Sequence, residues 1–203
     1  MPRKKRIQRP ERFYHIVCRG NRREPLFLDM HDFYAMLHIL TDVYEKAPYE
    51  LASYCFMTNH FHLQIRSRNH PISTVMANIN KRYANYFNNR YQLSGHVFES
   101  RYYDKVIDTN DGMLEVSRYI HLNPVKAKLV SRPEEYFWSS YWFYNQTKFL
   151  PPCYVNLPTL LNYFRGTVEE KRERYGKYVE IDDNFERSTY YLLNNNFYLF
   201  KEE

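Results

Sequence analysis

Residues 54–66 read Tyr54-Cys55-Phe56-Met57-Thr58-Asn59-His60-Phe61-His62-Leu63-Gln64-Ile65-Arg66, and the alternation in this stretch decides the fold. Successive side chains of an extended strand point to opposite faces, so the apolar residues share one face while His60 and His62 share the other. Two imidazoles on one face can bind a divalent metal ion if a third ligand comes from elsewhere in the fold. The triplet alone is weak evidence, because eight histidines in 203 residues often produce it by chance.

The rest of the chain alternates between strand-like and helix-like patterns. Strands are predicted at residues 13–19, 49–57, 59–67 and 96–107, and amphipathic helices at 29–47, 71–88 and 111–122. The order strand, helix, strand, strand, helix, strand predicts an α+β fold: a ferredoxin-like or RRM-like antiparallel sheet with its helices on one face, plus a C-terminal helical appendage. We expect Thr109 or Asn110 to cap the third helix and Pro124 to stop it.

Positive charge is concentrated at the N terminus. Residues 1–25 contain nine Lys and Arg against two Glu, a net charge of +7, whereas the whole chain carries +6. Such a basic arm suits a polyanion such as nucleic acid, and the alternative is a solvated, disordered leader. The 21 tyrosines serve either core packing or stacking on unpaired bases, and composition does not choose between these roles.

The cysteines and the hydropathy pattern indicate the compartment. Cys18, Cys55 and Cys153 are odd in number and form no Cys-x-x-Cys pair. This predicts neither a disulfide framework nor a thiolate zinc site, and it favours a reducing cytoplasm. No apolar segment approaches the length needed to cross a bilayer, so we expect no membrane partner.

The third predicted helix carries the residues that could complete a site with the histidines. Tyr119 and Asn123 are four positions apart, so they project from nearly the same face, one turn from each other. If that face lies against the free side of the sheet, the amide oxygen of Asn123 can complete a metal site with His60 and His62. Imidazole and amide-oxygen ligands with open positions suit Mg²⁺ or Mn²⁺.

The chemistry expected from such a site is phosphodiester cleavage. A metal ion polarises the phosphodiester, and a nearby tyrosine hydroxyl can attack it and form a phosphotyrosine ester. Two simpler interpretations remain open. Tyr119 is also explained as a half-buried tyrosine of an amphipathic helix, and Asn123 as a helix C-cap before Pro124.

Four blocks of sequence carry a resemblance to a known family. They are Met57-Thr58-Asn59-His60-Phe61-His62-Leu63, Gly95-His96-Val97-Phe98-Glu99-Ser100-Arg101-Tyr102, Arg118-Tyr119-Ile120-His121-Leu122-Asn123-Pro124-Val125-Lys126-Ala127 and Trp138-Ser139-Ser140-Tyr141. Together with the basic start, they resemble the REP-associated tyrosine transposases, single-tyrosine transposases of the HUH endonuclease superfamily, over roughly residues 3–145. The family's usual Met-Pro-Asn-His is Met57-Thr58-Asn59-His60 here, which removes no catalytic atom.

The resemblance implies a role for each residue of the site. His60, His62 and Asn123 would bind the divalent metal, Mg²⁺ or Mn²⁺. Tyr119 would be the nucleophile that cleaves single-stranded DNA through a 5′-phosphotyrosine intermediate. The implied substrate is single-stranded DNA with a palindromic hairpin, and the implied location is the nucleoid of the cytoplasm. The competing interpretation is a non-catalytic or regulatory single-stranded nucleic-acid-binding protein.

The basic residues are the candidates for binding phosphates of the DNA backbone. They are Arg3, Lys4, Lys5, Arg6, Arg19, Arg22, Arg23, Lys81, Arg82 and Arg101. We divide the chain into a basic arm with the first strand at 1–25, an HUH transposase catalytic domain at 12–145 and an appendage at 146–203. The apolar run at 190–200 is a docking strand, a partner surface or a poorly ordered tail. The sequence allows a monomer or a homodimer.

Overall fold

The computed structural model describes residues 8–181. The candidate DNA-binding residues Arg3, Lys4, Lys5 and Arg6 lie outside the described residues, as does the apolar run at 190–200. No helix within 8–181 combines the length and apolar character needed to cross a membrane.

Four strands form one antiparallel sheet. They are β1 Phe13–Arg19, β2 Glu50–Met57, β3 His60–Arg66 and β4 Tyr103–Ile107, in the spatial order β2-β3-β1-β4. β2 and β3 form a hairpin, and β1 then pairs with both β3 and β4. The predicted α+β class and the predicted succession of strands and helices along the chain are therefore confirmed. The fourth strand is shorter than predicted, because Phe98 forms only an isolated bridge to Gly20 and regular pairing starts at Tyr103.

Two long helices cover one face of the sheet, as predicted. They are α1 Met30–Lys46 and α2 Ile72–Tyr91, which contact each other. Their apolar stripes, represented by Met36 and Ile79, share one buried cluster with Ile16 and Leu63 of the sheet. This packing buries the apolar face of β3 and leaves the histidine face to the other side of the sheet.

A buried carboxylate links the start of α1 to the end of α2. Asp32 has no exposed surface. It accepts hydrogen bonds from Tyr86 Oη at 2.9 Å, Tyr91 Oη at 2.8 Å, Arg90 Nη1 at 2.7 Å and the Leu28 backbone N at 2.7 Å. With a further bond from the Asp29 backbone N at 3.3 Å, five donors around one carboxylate compensate for its removal from water.

We expect the substitution Asp32→Ala to destabilise the fold by about 2–4 kcal/mol, because two tyrosine hydroxyls lose their acceptor while Arg90 keeps only its ion pair with Asp29. The measurement is the urea midpoint at constant m-value. Glu173→Ala is the matched control, since Glu173 forms an exposed ion pair with Lys177 and its loss should hardly move the midpoint. Equal midpoints for the two variants would contradict this prediction.

A third helix, α3 Asn110–Lys126, lies on the histidine face of the sheet. Its N-cap is Thr109, whose side chain accepts a hydrogen bond from Gly112 N at 3.0 Å, as predicted. Gln64 Nε2 of β3 donates to Met113 O of α3 at 3.0 Å. Ile120 packs against residues of β2. These contacts fix α3 across β2 and β3.

The prediction that Pro124 stops α3 is wrong, because the helix continues to Lys126. Proline removes one N–H from the helix ladder, and near the helix end only that one bond is lost. The following bonds persist: Ala127 N donates to Asn123 O and Leu129 N to Pro124 O, both at 2.9 Å. Asn123 is therefore a helical residue and not the C-cap.

Residues 133–181 pack around β2 and the outer side of α3. They contain α4 Tyr141–Asn145, α5 Pro158–Leu161 and α6 Val168–Glu180. Backbone bonds from Trp138 O, Ser140 N and Tyr154 O satisfy the outer edge of β2. The proposed boundary between 12–145 and 146–203 stays a prediction.

Candidate active site

The structure brings together His60 and His62 of β3 with Tyr119 and Asn123 of α3, all from one chain. The ring centroids of His60 and His62 lie 4.9 Å apart, and those of His62 and Tyr119 lie 5.5 Å apart. Asn123 Nδ2 lies 3.3 Å from His62 Nε2, and the Asn123 side chain is close enough to His60 to raise the pKa of that ring against the opposing effect of burial. The amide is thus placed between the two imidazoles.

The opposite side of α3 explains why Tyr119 and Asn123 face the sheet. His121 is fully buried, with Nε2 at 2.8 Å from Ser140 Oγ and Nδ1 at 2.8 Å from Tyr175 Oη of α6. Arg118 is also buried and its Nε donates to a backbone carbonyl of α6. These contacts fix the rotation of α3 about its axis.

The environment of both histidines favours the neutral form of the imidazole. Burial lowers the pKa of His62 well below its usual value, and the neighbouring His60, His15 and Arg19 lower it further. Burial also lowers the pKa of His60, helped by the positive charge of Arg19. Since a neutral imidazole keeps one unprotonated nitrogen, each ring has a lone pair that can bind a metal ion.

A third histidine, His15 of β1, belongs to this cluster and is not among the site residues predicted from the sequence. Its Nε2 lies 3.0 Å from His62 Nδ1, and its ring centroid lies 5.8 Å from that of Tyr119. Burial and the charge of Lys105 lower its pKa to about 4. The alternation of β1 could have revealed it, because a strand beside β3 must direct every second side chain to the histidine face.

Tyr119 lies at the accessible side of the cluster. The residue is 43% exposed, so a large substrate can reach its side chain. Lys126 Nζ lies 5.8 Å from the centroid of the Tyr119 ring and adds a positive charge there. The charge of Lys126 can attract a phosphate of a polyanionic strand to this side of the cluster.

The predicted phosphate-binding residues lie on two sides of the sheet. Arg19 ends β1 opposite His60 in the register. Arg22 and Arg23 follow in a 3₁₀ turn and have positive φ angles of 53° and 64°. Gly20 N, at the start of this turn, donates to Asn59 O at 2.8 Å, which places the turn beside the hairpin and near the histidines.

The remaining predicted phosphate-binding residues lie away from the histidines. Lys81 and Arg82 belong to α2 on the opposite face, and Arg82 pairs with Asp42 at 3.1 Å. The backbone carbonyl of Arg101 accepts a hydrogen bond from Asn80 of α2 at 2.6 Å. The structure therefore does not bring Lys81 and Arg82 to the site, and it places the backbone of Arg101 beside α2.

The side chains around the site offer imidazole nitrogen and amide oxygen as ligands. Among residues 8–181, no three His, Cys, Asp or Glu side chains are grouped so that they could hold a metal ion. A centre built on His60 and His62 therefore needs a ligand of another type, and the Asn123 amide is the side chain that lies between them.

Comparison with known proteins identifies the family. The family model for IS200-like transposases matches residues 10–123, a range that runs from before β1 to Asn123. A solved structure of a REP-associated tyrosine transposase bound to a REP hairpin has a similar fold, with a TM-score of 0.62 at 18% identity over 74% of this chain and 89% of that chain. A search of curated proteins finds no match. The chain belongs to the IS200-like transposase family and is a transposase with DNA endonuclease activity.

Proposed function

We propose that this transposase is metal-dependent and cleaves single-stranded DNA that carries a palindromic hairpin, with Tyr119 as the nucleophile. The observation that carries the proposal is the clustering of Tyr119 and Asn123 with His60 and His62 in one chain. The similar fold of a transposase bound to a REP hairpin supports hairpin DNA as the substrate class. The nucleoid of the cytoplasm is the proposed location.

The donor set fits Mg²⁺ or Mn²⁺. His60 and His62 offer neutral imidazole nitrogens, and Asn123 offers an amide oxygen, a hard donor that both ions accept. With so few protein ligands, coordination positions stay open for water and phosphate oxygens. When bound, such an ion would polarise the scissile phosphodiester and offset the negative charge that develops on its oxygens.

Tyr119 would carry out the covalent step. Its Oη attacks the phosphorus, a new O–P bond forms, and the bond from phosphorus to the 3′-oxygen of the upstream nucleotide breaks. The phenol releases its proton to solvent, and the 3′-oxygen takes up a proton from solvent to become a free hydroxyl. The downstream strand stays attached as a 5′-phosphotyrosine ester, and a later attack by a 3′-hydroxyl restores the tyrosine and rejoins DNA.

Arg19, Arg22 and Arg23 would bind the backbone of the strand that enters the site. They lie at the end of β1 and in the turn beside the hairpin, so phosphates of a strand bound at the site can reach them. Lys81, Arg82 and Arg101 would contact only DNA that extends around the sheet to α2. A complete site within one chain supports a monomer as the active unit, whether or not a homodimer forms.

The test uses a library of hairpin strands with randomised flanking nucleotides, labelled at the 3′ end because the adduct retains the downstream fragment. We expect a covalent adduct on a denaturing gel with Mn²⁺ or Mg²⁺ and none with a chelator. Strands whose palindrome is scrambled, with equal composition, are the matched control and should react at least about tenfold less. Tight DNA binding that is equal with and without the chelator and gives no adduct would instead support the non-catalytic, regulatory alternative.

A further inference from the structure

Each histidine of the proposed metal site has its second ring nitrogen engaged. His60 Nδ1 lies 2.7 Å from Asn59 Oδ1, and His62 Nδ1 lies 3.0 Å from His15 Nε2. A neutral imidazole carries one proton, and the nitrogen that holds it cannot bind a metal. The partners of the two Nδ1 atoms therefore decide which nitrogen keeps the free lone pair.

The orientation of Asn59 is determined by a contact on its other side. Asn59 Nδ2 donates to the backbone carbonyl of Arg23 at 3.1 Å. The amide oxygen must then face His60, where it can only accept a hydrogen bond. This acceptor requires the proton of His60 to lie on Nδ1 and leaves Nε2 unprotonated.

His15 can play the same part for His62. It lies in β1, and its ring stacks on that of His62 with centroids 5.2 Å apart and planes 26° apart. When His15 carries its own proton on Nδ1, its Nε2 accepts from His62 Nδ1–H. The Nε2 of His62 is then free, and this is the atom that lies 3.3 Å from Asn123.

We propose that His15 and Asn59 are positioning residues that hold His62 and His60 in the Nδ1–H tautomer and so keep both Nε2 lone pairs free to bind a metal ion. The inference rests on the proposed metal site. Outer-shell partners of this kind fix the ring orientation of metal-binding histidines, and their loss typically weakens metal affinity by about 10- to 100-fold. Here one of the two partners is itself a histidine from a neighbouring strand.

A pair of substitutions separates the hydrogen bond from the packing of His15. His15→Phe keeps an aromatic ring against His62 but has no acceptor, whereas His15→Gln places an amide oxygen near the position of Nε2. The first readout is ¹⁵N–¹H NMR of the histidine rings in the metal-free protein. We expect a single Nδ1–H tautomer for His62 in the wild type and in His15→Gln, and a mixture of tautomers in His15→Phe.

The second readout is the Mn²⁺ dissociation constant, measured by calorimetry without DNA. We expect His15→Phe to bind Mn²⁺ about 10- to 100-fold more weakly and His15→Gln to recover to within a few-fold of the wild type. His38→Phe is the matched control, because His38 is an exposed histidine of α1 on the opposite side of the sheet. It should change neither readout.

Asn59→Ala is an independent variant on the half-buried hairpin turn, available if the β1 substitutions fail to fold. It should give a mixture of tautomers for His60 and leave the single Nδ1–H tautomer of His62 unchanged. Unaltered tautomers and Mn²⁺ affinity in folded His15→Phe and Asn59→Ala would overturn the inference. A wild type that shows fixed Nδ1–H tautomers but binds no Mn²⁺ would instead overturn the proposed metal dependence, because the tautomers are measured without metal.

Discussion

Replacing Tyr119 with phenylalanine should abolish the covalent protein–DNA adduct and lower strand cleavage by about a thousand-fold or more. The substitution removes only the phenolic oxygen, which is the proposed nucleophile. The ring contacts with His15 and His62 stay possible, and the side chain is 43% exposed, so no core packing is lost. Folding and Mn²⁺ binding should therefore be unchanged, which distinguishes a chemical defect from a structural one.

Tyr103→Phe is the matched control for this experiment. Tyr103 lies on β4, pairs with Val17 in the register, and is 60% exposed. It is thus another accessible tyrosine of the same sheet but carries no role in the proposed chemistry. The measurement is the yield of labelled adduct on a denaturing gel. An adduct that persists in Tyr119→Phe would assign the nucleophile to a different residue.

The sequence predicts the sheet and its helices because each depends on a local pattern. Alternation in 54–66 identifies the histidine face, and the helical stripes of α1 and α2 identify what covers the other face. The position at which a helix ends depends on the balance between single backbone hydrogen bonds and tertiary contacts. Pro124 removes one backbone donor but not the tertiary contacts of α3, and the helix therefore passes through it.

Some features of the site follow from local sequence patterns, and others depend on how distant elements pack together. Tyr119 and Asn123 share a helix face by periodicity alone, but only the docking of α3, fixed by Arg118 and His121 on its far side, brings that face to β3. The position of His15 depends on the insertion of β1 beside β3. In a ferredoxin-like sheet β1 lies beside β3, so the position of His15 in the site could have been predicted from the predicted fold.

The basic residues illustrate what charge alone cannot locate. Lys81 and Arg82 follow the apolar stripe of α2, which packs on the face opposite to the histidines. Arg82 pairs instead with Asp42 of α1. Arg19 lies at the end of β1, next to β3, and its pairing with His60 places it at the site. Whether a basic residue lies near the site therefore depends on which face of the sheet it occupies, and net charge does not predict this.

Replacing His62 with alanine should abolish both Mn²⁺ binding and adduct formation. His62 lies at the centre of the cluster, since its Nδ1 contacts His15, its Nε2 contacts Asn123, and only 3% of it is exposed. The variant loses one of three proposed ligands and its outer-shell contact, so we expect affinity to fall more than about 100-fold. The measurements are calorimetry with Mn²⁺ and the adduct assay. His38→Ala, at an exposed histidine of α1 on the opposite side of the sheet, should behave as the wild type, and Mn²⁺ binding retained by His62→Ala would place the metal elsewhere.

Mixing His62→Ala with Tyr119→Phe tests whether the nucleophile acts on its own subunit's histidines. All four proposed site residues cluster within one chain, so neither variant can supply what the other lacks, and the mixture should form no more adduct than either variant alone. If Tyr119 served the histidines of a second subunit, each mixed dimer would contain one intact site. Random mixing would then restore about a quarter of the wild-type yield. Such recovery would show that α3 exchanges between subunits in the active complex, whereas its absence at high protein concentration would establish the single chain as the catalytic unit.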